Sequence, residues 1–247
     1  MMRKRAAAML AATAAVVGLA GLSAPAANAS VYGDTEITGV TVNGGKSVVI
    51  GTTYAKTFNV TVRGRDDSGL MSVDTDLTGP GGYFFKDGTH CQSATSCTAS
   101  YTIDPRVDLY NENAGTWYVG AWLDANDGDY AYDERVGHFS LKRAGSLTVN
   151  ASPEPVTKGK LITVAGTLKR ANWDTGHYAG YTKQTVALQF RKSGTSTYKT
   201  VKTVISGTGG GLWTRVTASV DGTWRWYFPG TATTAAVTVA GDYVDVR

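Results

Sequence analysis

"AGTWYV" at residues 114–119 returns as "DGTWRW" at residues 221–226. Each copy puts Gly-Thr-Trp at the head of an alternating run, the pattern of a strand with one buried face. Each is followed by a loop and a closing run, "VGHFSLKR" (136–143) and "GDYVDVR" (241–247). A unit that ends with its last hairpin and then repeats is what two tandem β-sandwiches give. Trp117 and Trp224 are then core anchors, large rings beneath a sheet.

The rest of the chain agrees. Helix-period stretches are absent, and short alternating runs recur between Gly, Asp and Asn turns. "TFNVTVRG" (57–64) and "MSVDTDL" (71–77) belong to the first unit. "LITVAGTL" (161–168), "TVALQFR" (185–191), "YKTVKTVI" (198–205) and "LWTRVTAS" (212–219) belong to the second. The expected fold class is all-β: two tandem Ig-like antiparallel β-sandwich domains, at residues 30–143 and 144–247. "AGSLTVNASPEPVTKGK" (144–160) reads as a brief join and a first strand, with Pro153 and Pro155 keeping that edge from extending. Alternation in "YKTVKTV" sets Lys199 and Lys202 on opposite faces unless a bulge intervenes.

Residues 1–29 read as a secretory signal peptide. Arg3, Lys4 and Arg5 precede an Ala-, Val- and Leu-rich run, and Ala27 and Ala29 are placed for cleavage after Ala29. No later apolar run is long enough to span a membrane, and no cysteine stands at the cleavage point to carry a lipid. The expected location is extracellular, without a membrane anchor. Outside the cell two thiols usually pair, so Cys91 and Cys97, which bracket "QSATS", read as a disulfide. Their spacing fits neither C-x-x-C nor a zinc pattern.

Charge divides at the same boundary as the repeat. Residues 30–143 hold 15 acids and 9 bases, while residues 144–247 hold 5 acids and 12 bases. An acidic module joined to a basic one, close to neutral together, argues against a generic nucleic-acid binder.

Five stretches carry a resemblance: "DPRVDLYN" (104–111), "AGTWYVGAWLDANDGDY" (114–130), "VNASPEPVTKGK" (149–160), "QFRKSGTSTYKTVKTV" (189–204) and "AGDYVDVR" (240–247). On these the chain resembles secreted actinobacterial, streptomycete-type proteins with two Ig-like domains, which often carry the label hypothetical or calcium-binding protein. The resemblance implies the fold and secretion, and says little about activity.

Calcium is the chemistry the acids suggest. "DANDGDYAYDE" (124–134) is not an EF-hand, because with Asp124 first the glycine arrives at position 5 instead of 6, and with Asp127 first position 5 is Ala131. A two-loop site is the alternative. In an Ig-like sandwich this turn and the loop "RDDSG" (65–69) emerge at one end. The expected metal ligands are Asp66, Asp67, Asp124, Asp127 and Asp129, holding Ca2+ with carbonyls and water. The competing reading is plain turn chemistry, since Asp127-Gly128 is a hairpin-turn pair and Arg65 and Arg135 can neutralise the acids.

Other candidates are less specific. Trp173, His177, Tyr178 and Tyr181, in "NWDTGHYAGY" (172–181), are a candidate glycan platform or a loop folded over the core end. The basic half offers an anionic cell-wall polymer a partner surface, or is simply a solvated face. No G-x-S-x-G, H-E-x-x-H or phosphate-loop pattern occurs; a dyad of Asp124 with Asp67 has no signature of its own. The expectation is a secreted, monomeric, non-catalytic binding protein with calcium at the loop end of domain one. The alternatives are a wall-associated structural protein acting through domain two, and a hydrolase with an unrecognised site.

Overall fold

The computed structural model describes residues 29–247. The expected signal peptide lies outside the described residues, apart from Ala29. No helix among the described residues is long and apolar enough to cross a membrane.

The first half contains β1 (Ala29–Tyr32), β2 (Glu36–Val42), β3 (Val48–Ile50), β4 (Lys56–Arg65), β5 (Leu70–Gly79), β6 (Gly82–His90), β7 (Ser96–Ile103), β8 (Gly115–Ala125) and β9 (Tyr130–Arg143). One sheet has the order β2-β4-β7, and the facing sheet has the order β1-β9-β8-β5-β6 with β3 added to β9. All pairings are antiparallel except β3 with β9, which is parallel. Three strands facing a hairpin-built sheet in this order is the immunoglobulin-like arrangement.

Alternation builds the core between the sheets. Phe58, Val60 and Val62 on β4 face Val73 and Leu77 on β5 and Trp117 and Val119 on β8, all buried. Trp117 is 1% exposed, and its Nε1 donates to the Asn113 carbonyl at 2.8 Å. This is the place and the bond of the corner tyrosine in immunoglobulin domains. The β5–β6 turn closes over the indole only because it is glycine-rich: a Cβ on Gly79 or Gly82 would lie 2.2 or 2.5 Å from the ring. Burial pushes the Tyr101 phenol up to about 12, and its hydroxyl is paired with Thr75 at 2.8 Å.

The second half contains β10 (Gly145–Leu147), β11 (Asn150–Ser152), β12 (Leu161–Asn172), β13 (His177–Gly180), β14 (Thr185–Lys192), β15 (Lys199–Ile205), β16 (Gly211–Thr217), β17 (Gly222–Phe228), β18 (Val237–Thr238) and β19 (Asp242–Val244). β12 is the hub of one sheet, pairing with β10, β11, β13 and β16. β15, β14 and β17, with β18 and β19, form the other. Val156 bridges Val246 in parallel, repeating the β3–β9 arrangement. Trp224 packs on Phe190 at 4.5 Å, and the enclosed Trp226 donates Nε1 to the Ala165 carbonyl at 3.2 Å.

Simple alternation fails on β15. Leu188 pairs with Lys202 but Gln189 pairs with Thr200, so Val201 is bulged out. Lys199 and Lys202, opposite Phe190 and Leu188, therefore share a face. Lysines on this exposed edge also oppose pairing with another chain.

The two halves meet without slack. Only Ala144 separates β9 from β10, and both its backbone groups are used: its N–H donates to the Ile50 carbonyl at 2.9 Å, and its carbonyl accepts from Ala171 N–H at 2.8 Å. Trp173, just past β12, is 4% exposed and belongs to the core cluster of the first half. Its Nε1 donates to the Gly51 carbonyl at 2.8 Å. Asn111 side-chain and backbone N–H groups donate to Asn172 and Asp174, and its Oδ1 accepts from Trp173 N–H. Arg143 is buried beside this seam and donates Nε to the Ala171 carbonyl. Burial, then the neighbouring Arg170 charge, lowers its guanidinium to about 10.

Trp173→Ala removes the ring from the first core and orphans the Gly51 carbonyl. We expect a loss of about 3–5 kcal/mol and two separated thermal transitions where the wild type unfolds with coupled halves. Calorimetry on the full chain checks this, and an unchanged melting profile contradicts it.

Candidate functional site: the acidic end of the first sandwich

The β8–β9 connection is a tight turn. Ala125 N–H donates to the Asp129 carbonyl at 2.9 Å, and Gly128 takes φ of +95°, where a side chain would be strained. The β4–β5 loop, residues 66–69, lies against it. Asn126 N–H donates to the Gly69 carbonyl at 3.0 Å, while its Nδ2 reaches the Ser68 and Gly69 carbonyls at 3.0 and 2.8 Å. The two loops expected to converge do so.

A third segment joins them. β1 pairs with the start of β9, Tyr32 opposite Tyr130, and carries residues 33–35 across the end of the sandwich. Asp34 N–H donates to Asp129 Oδ2 at 3.2 Å, and the buried Thr35 hydroxyl donates to Asp66 Oδ2 at 2.6 Å. Gly33 takes φ of +75°, where a side chain would be strained, and a Cβ there would displace the Asp129 carboxylate.

Carboxylate oxygens of Asp34, Asp66 and Asp67 lie within 4.8 Å of one another, as do those of Asp66, Asp127 and Asp129. Asp66 belongs to both groups. Its Oδ1 also accepts from the Ser68 N–H and hydroxyl, at 2.8 and 2.6 Å. Those hydrogen bonds, from the Ser68 side chain first and then Thr35, hold its carboxyl below the usual value. Asp34 is pushed up, by desolvation first and then by the charges of Asp67 and Asp66. Oxygen-only donors spread over several turns suit a hard cation such as calcium better than zinc.

Asp124 is a correction. β8 continues through it, and it stands opposite Tyr130 on the outer sheet face. Its Oδ2 accepts from Ser72 at 3.1 Å and its Oδ1 from the Trp122 indole at 2.8 Å. It is in neither carboxylate group. Asp34 takes its place, a residue that "GDTE" (33–36) marks only as an ordinary turn.

The glycan platform is a second correction. Trp173 is enclosed in the first core and has no free ring face. Tyr181 meets Phe228 edge-on at 5.7 Å and lies under the Arg170 guanidinium at 4.0 Å. His177 and Tyr178 are exposed on β13, so the four do not make one flat surface. Cys91 and Cys97 form the expected disulfide, between the end of β6 and β7. His90, His138 and His177 lie on β6, β9 and β13, and no carboxylate group among the described residues includes one.

No family model and no curated protein matches this chain. Among solved structures it is similar to the D00–D0 domain of intimin, at 11% identity over 83% of this chain and 98% of that one, TM-score 0.29. It is similar to three N-terminal domains of the bacteriophage RB49 outer capsid protein Hoc, at 11% identity over 86% and 71%, TM-score 0.33. The Yersinia pseudotuberculosis adhesin InvE is similar at 15% identity over 85% and 60%, TM-score 0.31. At these values the sandwich assignment rests on the strand order itself.

The two shifted acids should titrate apart. As pH falls, Asp34 takes its proton above the ordinary carboxylate value and Asp66 below it. Asp66, with its folded value depressed, contributes stability above the unfolded value, and that contribution is lost as pH falls through the folded one. Asp34 has the opposite sign: its ionisation works against the fold as pH rises. Carboxyl-detected NMR titration checks the order, and protonation of Asp66 before Asp34 would refute it.

Proposed function

We propose that this is a non-catalytic extracellular binding protein whose first sandwich takes up a calcium ion at its acidic end. The observation that carries this reading is that five carboxylates gather there and none of the ion pairs among the described residues joins one of them to a base. Arg65 lines one hollow with Asp34, Asp66 and Asp67 but makes its ion pair with Glu36, and Arg135 lies over the Tyr118 ring at 4.6 Å. Like charges this close oppose one another, and a divalent cation would offset that repulsion. Asp34, Asp66, Asp67, Asp127 and Asp129 would hold it, with backbone carbonyls and water completing the shell. The disulfide supports an oxidising, extracellular setting.

A second reading, an anionic wall polymer held by the basic half, is supported by the β15 bulge that puts Lys199 and Lys202 on one face.

Calorimetric titration of calcium into the full chain tests the first reading. The full chain is needed because removing residues 144–247 would uncover the seat of Trp173. Asp66→Ala and Asp129→Ala should weaken binding at least tenfold, and Asp124→Ala should leave it unchanged. Affinity should fall with pH first through Asp34, whose carboxyl holds its proton to a higher pH than usual. At a hundredfold excess over Kd, calcium should add about 2.7 kcal/mol of stability. A flat titration removes the proposal.

A further inference from the structure

The outer face of the first sandwich holds a feature that calcium does not explain. Val119 pairs with Gly137 but Ala121 pairs with Asp133, so residues 134–136 stand opposite the single residue Gly120. A bulge of this kind re-aims side chains and often marks a functional surface. Here it lifts Glu134 and Arg135 beside a position that has no side chain. Two adjoining hollows of about 310 and 260 Å³ lie here, sharing Asp76, Tyr83 and Tyr132, and Glu134 and Arg135 line the first. Tyr118 walls one and Phe85 and Trp122 the other.

The Asp76 carboxylate lies on the floor, against Gly120; a Cβ at that glycine would sit 2.2 Å from Asp76 Oδ2. One oxygen accepts from the Thr78 hydroxyl at 3.2 Å. None of the ion pairs among the described residues involves Asp76. Desolvation raises its carboxyl above the usual value, with the Glu134 charge acting in the same direction. The molecule therefore keeps a half-buried negative group among aromatic rings; Arg135 lines the same hollow, but its guanidinium lies over the Tyr118 ring and makes no ion pair with Asp76.

The rings are held in place and still accessible. Trp122 stacks on Tyr130 at 4.5 Å, and Tyr130 on Tyr32 at 5.8 Å. Tyr83 and Phe85 are 61% and 54% exposed. Aromatic faces attract cations, most strongly where water is excluded. A carboxylate between them selects a cation that can donate hydrogen bonds, an ammonium group rather than a metal ion. The exposed rings on either side reach beyond what one ammonium would fill, and flat apolar ring faces suit the apolar faces of pyranose rings.

We propose that this hollow binds an oligomer of amino sugars with free amines, the ammonium seated on Asp76 and the sugar rings stacked on Tyr83, Trp122 and Tyr132. The site is on the sheet face, apart from the acidic loop end, and neither depends on the other.

The test titrates the full chain with a β-1,4-linked glucosamine trimer, its fully N-acetylated counterpart, and trilysine. The glucosamine trimer should bind at least tenfold more tightly than the acetylated one. Asp76→Asn should abolish that preference, and Tyr83→Ala, at an exposed position that does not carry the core, should weaken binding several-fold. Binding should decline as pH falls through the raised Asp76 range, since the protonated acid no longer attracts a cation. Equal affinity for the acetylated trimer, or an unaltered Asp76→Asn variant, overturns the charged contact. Trilysine binding as tightly as the glucosamine trimer overturns the sugar. No binding of the glucosamine trimer overturns the site.

Discussion

One indole ring, contributed by the second half of the chain to the core of the first, fixes the geometry of the whole molecule. Trp173 leaves β12 at its end and is buried in a core cluster otherwise built, apart from Ala171, from residues upstream of its own domain's first strand. Its Nε1 satisfies the Gly51 carbonyl, and the backbone of Ala144 links Ile50 to Ala171 beside it. With both polar groups of the one joining residue engaged, neither half can turn without breaking hydrogen bonds in a buried seam, where each lost bond leaves an unsatisfied group. β9 runs 14 residues from the acidic turn to this seam, on the order of 45 Å at strand rise. The acidic end is thereby held far from the basic half, which limits how far the opposite charges of the two halves can cancel locally.

Between the sheets, packing does the joining over most of the interface, and a covalent link only at one edge. The Cys91–Cys97 bridge links the end of β6, where Cys91 N–H donates to the Met71 carbonyl, to β7 of the facing sheet, so it clips the two sheets together at one edge only. The crossing is made by Phe58, Leu77, Trp117 and their neighbours, and its precision shows in the glycines that a Cβ would turn into collisions. The same economy appears on the outside, where the missing side chain at Gly120 admits the Asp76 carboxylate.

The parts of this structure that obey period two were open to reading from the chain. Phe58, Val60 and Val62 announce an inward face, and the repeated Gly-Thr-Trp marks matching strands because large buried rings tolerate few neighbours. Convergence of residues 66–69 with residues 126–129 followed from connectivity alone. What escaped depends on pairings that no local pattern contains. Asp34 reaches the acidic end because β1 adds to β9, and Trp173 is core because two domains share a seam; an aromatic cluster in a turn looks the same whether it awaits a ligand or a neighbour. Asp124 was misplaced for a simpler reason, since β8 runs on past Leu123 and alternation then turns the carboxylate onto the sheet face beside Trp122. The aromatic outer face did leave a trace: "TWYVGAWLD" (116–124) places rings on both sides of one strand, more than a core alone requires.

The slackless join also sets how the molecule can act on more than one target. Flexible tandem domains gain from tethering over a range of spacings, since a linker lets the second domain search for its site. Here the search is removed, and the angle between the two sandwiches is a fixed property of the fold. Any surface that engages both halves must present its sites at that one separation and orientation, which makes the chain a ruler rather than a leash.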